Sequence, residues 1–303
     1  MQTNQNYSEQ KEGTLVKQRV CLAALCLLLG LSACGGAQST QTAPAEGLDK
    51  LGEITVVARE DGSGTRGAVA ELVGIVNEQA NAAQSDLTRE DAQIADNAEA
   101  VLDLVGQDSA AIGYVSRAAV DSADGVKAIS INGSAIDDKA YPLLRSFYLA
   151  YTGTQSELQE DFLRYVRTAG QEIVGENYLA VAKNSSFLSN RAAGTLTITG
   201  STSVAPLMEQ LAEAYRKYNP NAEISITETD STDGLNQAMS GSCDLGMSSR
   251  DLKDYEAELL DCEIIAQDDI AVVVNADNPL ENLSIDQLRS ILNGETARWQ
   301  DCG

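Results

Sequence analysis

The chain has 303 residues, of which 45 are acidic and 21 are basic, and its formal net charge at neutral pH is −24. This acidic balance argues against partners that are themselves polyanions, such as nucleic acids and anionic membrane surfaces. The chain contains no histidine, which excludes Ser-His-Asp and Cys-His catalysis and removes the commonest zinc ligand.

The beginning of the chain is typical of an export signal. An apolar run at residues 20–31 follows two basic residues, is too short to span a bilayer comfortably, and precedes small residues. Residues 31–36 (Leu-Ser-Ala-Cys-Gly-Gly) resemble a bacterial lipobox. This resemblance implies cleavage before Cys34 and lipid attachment to its sulfur. We therefore assign residues 1–34 to a lipoprotein signal peptide and residues 35–48 to a flexible tether, so the protein is expected outside the cytoplasm, lipid-anchored to a bacterial cell membrane.

Three cysteines lie beyond the tether: Cys243, Cys262 and Cys302. They form no Cys-x-x-Cys pair and have no metal-ligand spacing, so we predict no metal site and no cofactor. Disulfides are stable in the oxidising environment that an exported chain enters, and we predict one between Cys243 and Cys262.

The first motif after the tether is a strand, a turn and a helix. Residues 54–58 are apolar and short enough for a buried strand, and apolar residues recur at helical spacing after residue 66. In the turn between them, two glycines let the backbone approach a ligand, a serine and a threonine offer hydroxyls, and the first helical N–H groups are free. Arg59 and Arg66 add charge, so the natural guest is an oxyanion. A solvent-exposed capped turn is the alternative.

Strands and helices continue to alternate up to a polar joint at residues 183–194. We predict a helix near 98–105, strands at 110–115 and 126–131, an extended apolar run at 141–151, a helix from about 156 and a strand at 178–182. The run at 141–151, together with a strand at 269–275, is a candidate crossing between two lobes.

Beyond the joint the pattern begins again. A strand at 195–199 leads into the turn Gly200-Ser201-Thr202-Ser203 and a helix, and a strand at 224–227 leads into a second hydroxyl-rich turn and a short helix. A strand within 243–250 ends in two serines and an arginine, and Ser284 opens a helix with a capping-box pattern. Ligands of open α/β sheets bind beyond such strand ends. The hydroxyl-rich strand ends therefore predict a polar ligand site.

These motifs are similar to those of a known family, the extracytoplasmic phosphate-binding proteins that supply phosphate ABC importers. The family's N-terminal half is resembled by residues 197–207, 231–234, 245–250 and 292–295 with Trp299, and its C-terminal half by residues 59–65, 111–116 and 145–148. The resemblance implies an α/β, two-lobed periplasmic-binding-protein-like fold with two mixed sheets flanked by helices and a ligand cleft between the lobes.

The two halves stand in the reverse of the family's order, with the C-terminal-type half at residues 49–190 and the N-terminal-type half at 195–303. One explanation is a circular permutation that leaves one complete two-lobed protein, and the other is a pair of half domains left from a longer tandem protein. Permutation preserves a fold when the new ends lie in an exposed loop and the old ends are close together. We favour permutation because the export signal directly precedes the C-terminal-type half.

The resemblance implies a phosphate site shared by the two halves. Its matched positions are Thr202, Ser203 and Ser231 in one half, and Arg59, Ser63, Gly64 and Thr65 in the other. It also implies that Asp61 braces Arg59.

One position departs from the family. Ser249 stands where well-known members carry an aspartate that accepts the proton of hydrogen phosphate, which puts discrimination against sulfate in question. We include Ser249 and Arg250 as candidate contacts, with a surface ion pair as the alternative for Arg250. Asp61, Asp230 and Asp233 are alternative proton acceptors.

The function expected from the resemblance is a monomeric, non-enzymatic protein that captures inorganic phosphate for the membrane permease of an ABC importer. Another oxyanion (sulfate, molybdate or a phosphonate) is the alternative ligand, and a sensory or surface protein made of two half domains is the alternative function. An enzyme is disfavoured because Ser63 lacks a G-x-S-x-G context and no histidine can act as its base.

Overall fold

The computed structural model describes residues 46–77, 86–121 and 123–302, which belong to one compact unit, Thr42–Gly303. The predicted signal peptide, the lipid site Cys34 and all but the last three residues of the predicted tether lie outside the described residues. Leu48 begins a short 3-10 helix and is buried in the hydrophobic core, so the folded part of the chain includes the end of the predicted tether. Within the described ranges, no helix combines the length and the apolarity needed to cross a membrane.

Strands and helices alternate through the described residues, which confirms the predicted α/β class. The strands are β1 (Thr55–Arg59), β2 (Gln93–Ala95), β3 (Ala111–Ser116), β4 (Val126–Ala128), β5 (Ser130–Ile131), β6 (Leu144–Tyr151), β7 (Gly194–Ser201), β8 (Ala222–Thr229), β9 (Leu245–Ser248), β10 (Asp261–Asn275) and β11 (Asn282–Leu283). The helices are α1 (Gly64–Val73), α2 (Ala98–Gln107), α3 (Arg117–Val120), α4 (Glu157–Arg167), α5 (Gln171–Asn177), α6 (Ala205–Tyr218), α7 (Ser231–Ser240), α8 (Asp254–Ala257) and α9 (Ile285–Leu292).

One long strand connects two lobes. β10 pairs antiparallel with β6 up to Asp269 and antiparallel with β3 from Ile270 onward. The first-lobe strands follow the order β2-β1-β3-β10, with β4 also paired to β10, and the second-lobe strands follow the order β10-β6-β9-β7-β8. Each lobe therefore has the mixed sheet that was predicted, and the shared strand β10 fuses the two into a single nine-stranded sheet.

Each lobe has its own hydrophobic core. The first lobe consists of the described residues up to 143 together with 270–302 and buries a cluster around Trp299. The second lobe consists of residues 144–269 and buries the aromatic rings of Phe162 and Tyr215. Because the lobe boundaries fall just before β6 and within β10, each half of the sequence contributes to both lobes.

The predicted disulfide between Cys243 and Cys262 is wrong, because Cys243, Cys262 and Cys302 are all free. Cys243 packs into an apolar cluster with Leu235 and Leu260, whereas Cys262 is exposed near the start of β10. The two thiols thus occupy different environments.

The strand predicted at residues 178–182 is reduced to an isolated bridge between Leu179 and Gln267. The backbone N–H groups of Val181 and Ala182 donate instead to the side-chain oxygen of Gln171, at 2.9 and 3.2 Å. The Gln171 side chain therefore accepts the backbone hydrogen bonds that a neighbouring strand would accept in a sheet.

Candidate functional site

The hydroxyl-rich turns of the second lobe lie side by side. Strand β7 is parallel to both β8 and β9, and the carboxyl ends of parallel strands meet at one edge of a sheet. The turns at this edge carry Thr202 and Ser203 after β7, Ser231 after β8 and Ser249 after β9. The structure therefore brings the predicted residues of the N-terminal-type half together.

The turn after β1 in the first lobe faces this edge directly. The hydroxyl oxygens of Thr65 and Ser203 are 2.9 Å apart, and Arg59 Nη2 donates to Thr202 Oγ1 at 3.2 Å. The backbone oxygen of Gly62 accepts bonds from both the N–H and the hydroxyl of Thr232, each at 3.2 Å. The two lobes are thus in contact through the predicted site residues.

Gly64 allows this close contact. A Cβ atom at this position would lie 2.1 Å from Ser231 Oγ and 2.4 Å from Ser249 Oγ, far inside any van der Waals distance. From the sequence, this glycine is expected to let the backbone approach a ligand. In the structure, the space that a side chain would fill belongs to the hydroxyls of the opposite lobe.

Arg59 is 2% exposed and is held mainly along one edge of its guanidinium. Nε and Nη2 each donate to the Glu60 carboxylate at 2.8 Å, and the same two nitrogens donate to backbone oxygens of residues 95 and 96. The carboxylate on this edge is therefore that of Glu60, whereas the sequence prediction named Asp61. Nη1 makes no hydrogen bond to any described residue, so its two protons are available to a ligand.

The serines of the second lobe form a buried hydrogen-bonded row. Ser201 Oγ donates to Ser249 Oγ at 2.9 Å, and the Ser249 N–H donates to Ser231 Oγ at 3.1 Å. Ser231 is the first residue of α7, and Ser63 caps α1 by accepting from the N–H of Arg66 at 3.5 Å. The first N–H groups of a helix lack intrahelical acceptors and attract negative charge. Two helix N-termini and this row of hydroxyls thus form a cradle suited to an anion.

Arg250 is placed differently from the other predicted residues. Its Nη1 and Nη2 donate to Glu256 at 2.8 and 2.9 Å, and they also donate to the Asp251 backbone oxygen and to Thr232 Oγ1. The side chains of this pair are 4% and 0% exposed, so the pair is buried rather than on the surface. Burial alone would raise the pKa of Glu256, but the Arg250 guanidinium holds it below its usual range. Arg250 thus braces the second lobe beside the site.

Arg66 from the same turn also braces the fold. Its guanidinium binds Asp86 at 2.6 and 3.1 Å and donates to the Arg59 backbone oxygen at 3.1 Å. Of the two arginines in this turn, Arg59 is therefore the one with a nitrogen left for a ligand.

Sequence reasoning missed one ion pair that reaches the site. Arg145 on β6 binds Asp268 on β10 through Nε and Nη2, at 3.0 and 2.8 Å, while its Nη1 donates to Thr65 Oγ1 at 2.6 Å. A usable signal was present, because Arg145 is the charged residue in the apolar run at 141–151. A buried charge requires a partner.

The lobes, their crossing strands and the polar cradle between them define the class of two-lobed solute-binding proteins. A family model described as a PBP superfamily domain matches residues 185–303. The phosphate-binding protein PstS 2 of Streptococcus pneumoniae serotype 4 is 37% identical over 292 residues, which cover 93% of this chain and 98% of that protein. The chain belongs to this family of phosphate-binding proteins.

A solved structure supports the same assignment. The crystal structure of the phosphate-binding protein of a phosphate ABC transporter from S. pneumoniae TIGR4 is 36% identical, with a TM-score of 0.68, and the match covers 83% of this chain and 100% of that chain. The phosphate-binding protein PstS of Staphylococcus haemolyticus is 41% identical over 110 residues, which cover 34% of this chain and 35% of that protein. This match is confined to about a third of either chain.

Proposed function

We propose that the protein captures inorganic phosphate between its two lobes and presents it to the membrane permease of a phosphate ABC importer. The observation that carries this proposal is the Arg59 guanidinium. It is buried and reaches across to Thr202, and its Nη1 makes no hydrogen bond to any described residue. The names of the relatives support phosphate as the guest of this cradle.

The site attracts its anion by local geometry, against the net charge of −24. Hydroxyls and backbone N–H groups act as neutral dipoles that point at the guest, and one guanidinium adds a positive charge. The chain passes between the lobes just before β6 and within β10, and these two passages provide the hinge about which the lobes close. Closure brings Thr65 and Ser203 to the same anion from opposite sides.

We infer that both halves of the sequence build one permuted domain. Each half contributes to both lobes, and the two ends of the domain lie side by side. The N–H of Ile54 donates to the Ala297 oxygen at 2.9 Å, and the N–H of Trp299 donates to the Gly52 oxygen at 3.1 Å. Residues 52 and 299 are thus close enough for a chain with its halves in the opposite order to run directly between them.

We also propose a location for the protein in the cell. We assign it to the outer face of the cell membrane as a monomer, held by lipid on Cys34, and we assign it no catalysed reaction. Metabolic labelling with a radioactive fatty acid tests the anchor: label that is lost in Cys34→Ala supports it, and label that persists in that variant contradicts it.

The central test is isothermal titration with inorganic phosphate. The chain from Gly35 onward contains every described residue, and its monomeric state is checked by light scattering. We expect one site per monomer in the wild type, and loss of binding in Arg59→Ala. The matched control Arg167→Ala removes an arginine whose side chain is 53% exposed, and binding should persist. A folded monomer that takes up no phosphate would overturn the proposal.

A second candidate ligand is another tetrahedral oxyanion. The observation that favours it is Ser249, which is fully buried in the serine row at the position where the family resemblance implies an aspartate. A hydroxyl repels neither sulfate nor phosphate. Competition by sulfate, molybdate and a phosphonate separates the ligands, and loss of phosphate binding to a sulfate excess would favour sulfate.

A further inference from the structure

We propose that Arg145 is a positioning residue for the anion site: held by Asp268 on the paired crossing strand, it fixes and polarises the hydroxyl of Thr65. This inference rests on the proposed function, because it concerns the binding of phosphate at the same cradle. Arg145 acts through Thr65, because its Nε and Nη2 donate to Asp268 and its Nη1 donates to the Thr65 hydroxyl.

The guanidinium is fixed from several sides. Arg145 and Asp268 face each other in register across β6 and β10, and their side chains are 2% and 1% exposed. Nε and Nη2 both donate to Asp268 Oδ2, while Ser116 Oγ donates to Oδ1 at 2.9 Å and holds the carboxylate in place. The guanidinium carbon lies 5.0 Å from the centre of the Phe147 ring. The position of Nη1 is thus set by the hinge strands.

The bond to Thr65 has a defined direction. Arginine is a donor only, so Thr65 Oγ1 accepts from Arg145 Nη1 at 2.6 Å and keeps its own proton to give away. Thr65 and Ser203 also share a bond of 2.9 Å, in which either hydroxyl can donate. In both cases one proton of this pair of hydroxyls remains for an anion.

The charge on Arg145 strengthens that remaining donor. A hydrogen bond from a cation is stronger than one from a neutral group, and hydrogen bonds in a chain polarise one another. The ion pair on the crossing strands thereby prepares a neutral hydroxyl to bind an anion. It does so without placing a second free cation in the cleft.

Phosphate titration of Arg145→Lys in proteins with three different residues at position 65 tests whether Arg145 acts through the Thr65 hydroxyl. The dissociation constant for inorganic phosphate is measured with and without Arg145→Lys in the full-length chain carrying Thr65, Thr65→Ser or Thr65→Val. The serine background keeps the hydroxyl, and the valine background removes it at nearly the same volume. We expect Arg145→Lys to weaken binding by about tenfold or more when residue 65 has a hydroxyl, in line with a hydrogen bond to a charged group. In the valine background the loss should be less than about twofold, because the hydroxyl that the arginine orients is gone.

Other outcomes overturn the inference. Equal losses in all three backgrounds would mean that Arg145 acts by its charge or by supporting the fold. Thermal unfolding without phosphate identifies variants that fail to fold, and Asp268→Asn then replaces Arg145→Lys, since releasing the guanidinium should give the same dependence on residue 65. A wild type that binds no phosphate would overturn the proposed function and this inference together, whereas binding with equal losses would overturn this inference alone.

Discussion

The hydroxyl oxygens of Thr65 and Ser203 lie 2.9 Å apart, although 138 residues separate them in the chain. Thr65 belongs to the first turn of α1 in the first lobe, and Ser203 to the turn before α6 in the second lobe. Their contact means that the lobes are closed on each other. A change that keeps the lobes apart should therefore weaken the binding of any ligand held between them.

Gly64→Ala is such a change. The added methyl group would lie 2.1 Å from Ser231 Oγ and 2.4 Å from Ser249 Oγ when the lobes are closed. We expect phosphate affinity to fall by about 5-fold to 150-fold, as the overpacking strain of about 1–3 kcal/mol implies. The melting temperature without ligand should change little, because opening the lobes relieves the clash.

The matched control for Gly64→Ala is Gly175→Ala in α5. A Cβ at Gly175 would meet no atom within 4 Å, so affinity and stability should both persist. Titration calorimetry and thermal unfolding measure the two quantities. Unchanged affinity in Gly64→Ala would contradict the closed contact as the binding-competent arrangement.

Arg59→Lys tests the guanidinium fork rather than the charge. A lysine keeps one positive charge but cannot bind the Glu60 carboxylate along one edge and offer a second nitrogen to a ligand. We expect phosphate affinity to fall by about 10-fold to 100-fold, the range of a hydrogen bond to a charged group. Arg167→Lys serves as the exposed control. Retention of wild-type affinity in Arg59→Lys would show that charge alone suffices.

Ser249→Asp tests ligand discrimination. A carboxylate in the serine row would accept the proton of hydrogen phosphate and repel sulfate, which carries none at neutral pH. We therefore expect sulfate to compete less well against phosphate in the variant than in the wild type, even if the larger side chain weakens both. Competition titrations give the ratio of the two affinities. An unchanged ratio would mean that residue 249 does not face the bound anion.

The hydroxyl-rich turns of the cradle could be predicted from the sequence, but the buried ion pair that supports them could not. Hydroxyl-rich turns such as Gly200 to Ser203 follow short apolar strands, and both signals are local in the chain. The pairing of Arg145 with Asp268 is not local, since it depends on two strands that meet across more than a hundred residues. The early part of β10 was missed for a related reason. Residues 261–268 carry several acids and gain their strand conformation by pairing with β6, so tertiary contacts override the local pattern there.

The buried pair of Arg250 and Glu256 should make stability depend on pH. The folded state lowers the pKa of Glu256, so the unfolded chain binds this proton more readily. The stabilisation is therefore complete above the unfolded pKa of about 4.3 and declines as the pH falls through the lower folded pKa. Glu256→Gln leaves Arg250 buried without its charge partner, which costs about 3–5 kcal/mol at neutral pH.

Urea unfolding of the wild type and Glu256→Gln from neutral to acidic pH measures this effect. The difference in unfolding free energy should shrink as the pH falls below about 4. Asp254→Asn on the exposed surface of α8 is the control and should show a small difference at every pH. A difference for Glu256→Gln that stays constant with pH would contradict the ion pair.

Thiol titration tests the corrected cysteine assignment. In the chain from Gly35 onward, Cys243, Cys262 and Cys302 are free, and Cys262 is the exposed one of the three. Burial raises the pKa of both Cys243 and Cys302 to about 11, which suppresses their thiolate forms. We expect one thiol to react with an aromatic disulfide reagent in the native protein, and three to react after unfolding without reductant. The native reaction should disappear in Cys262→Ser. One reactive thiol after unfolding would instead show that two of the three cysteines had formed a disulfide, and would contradict the assignment of three free thiols.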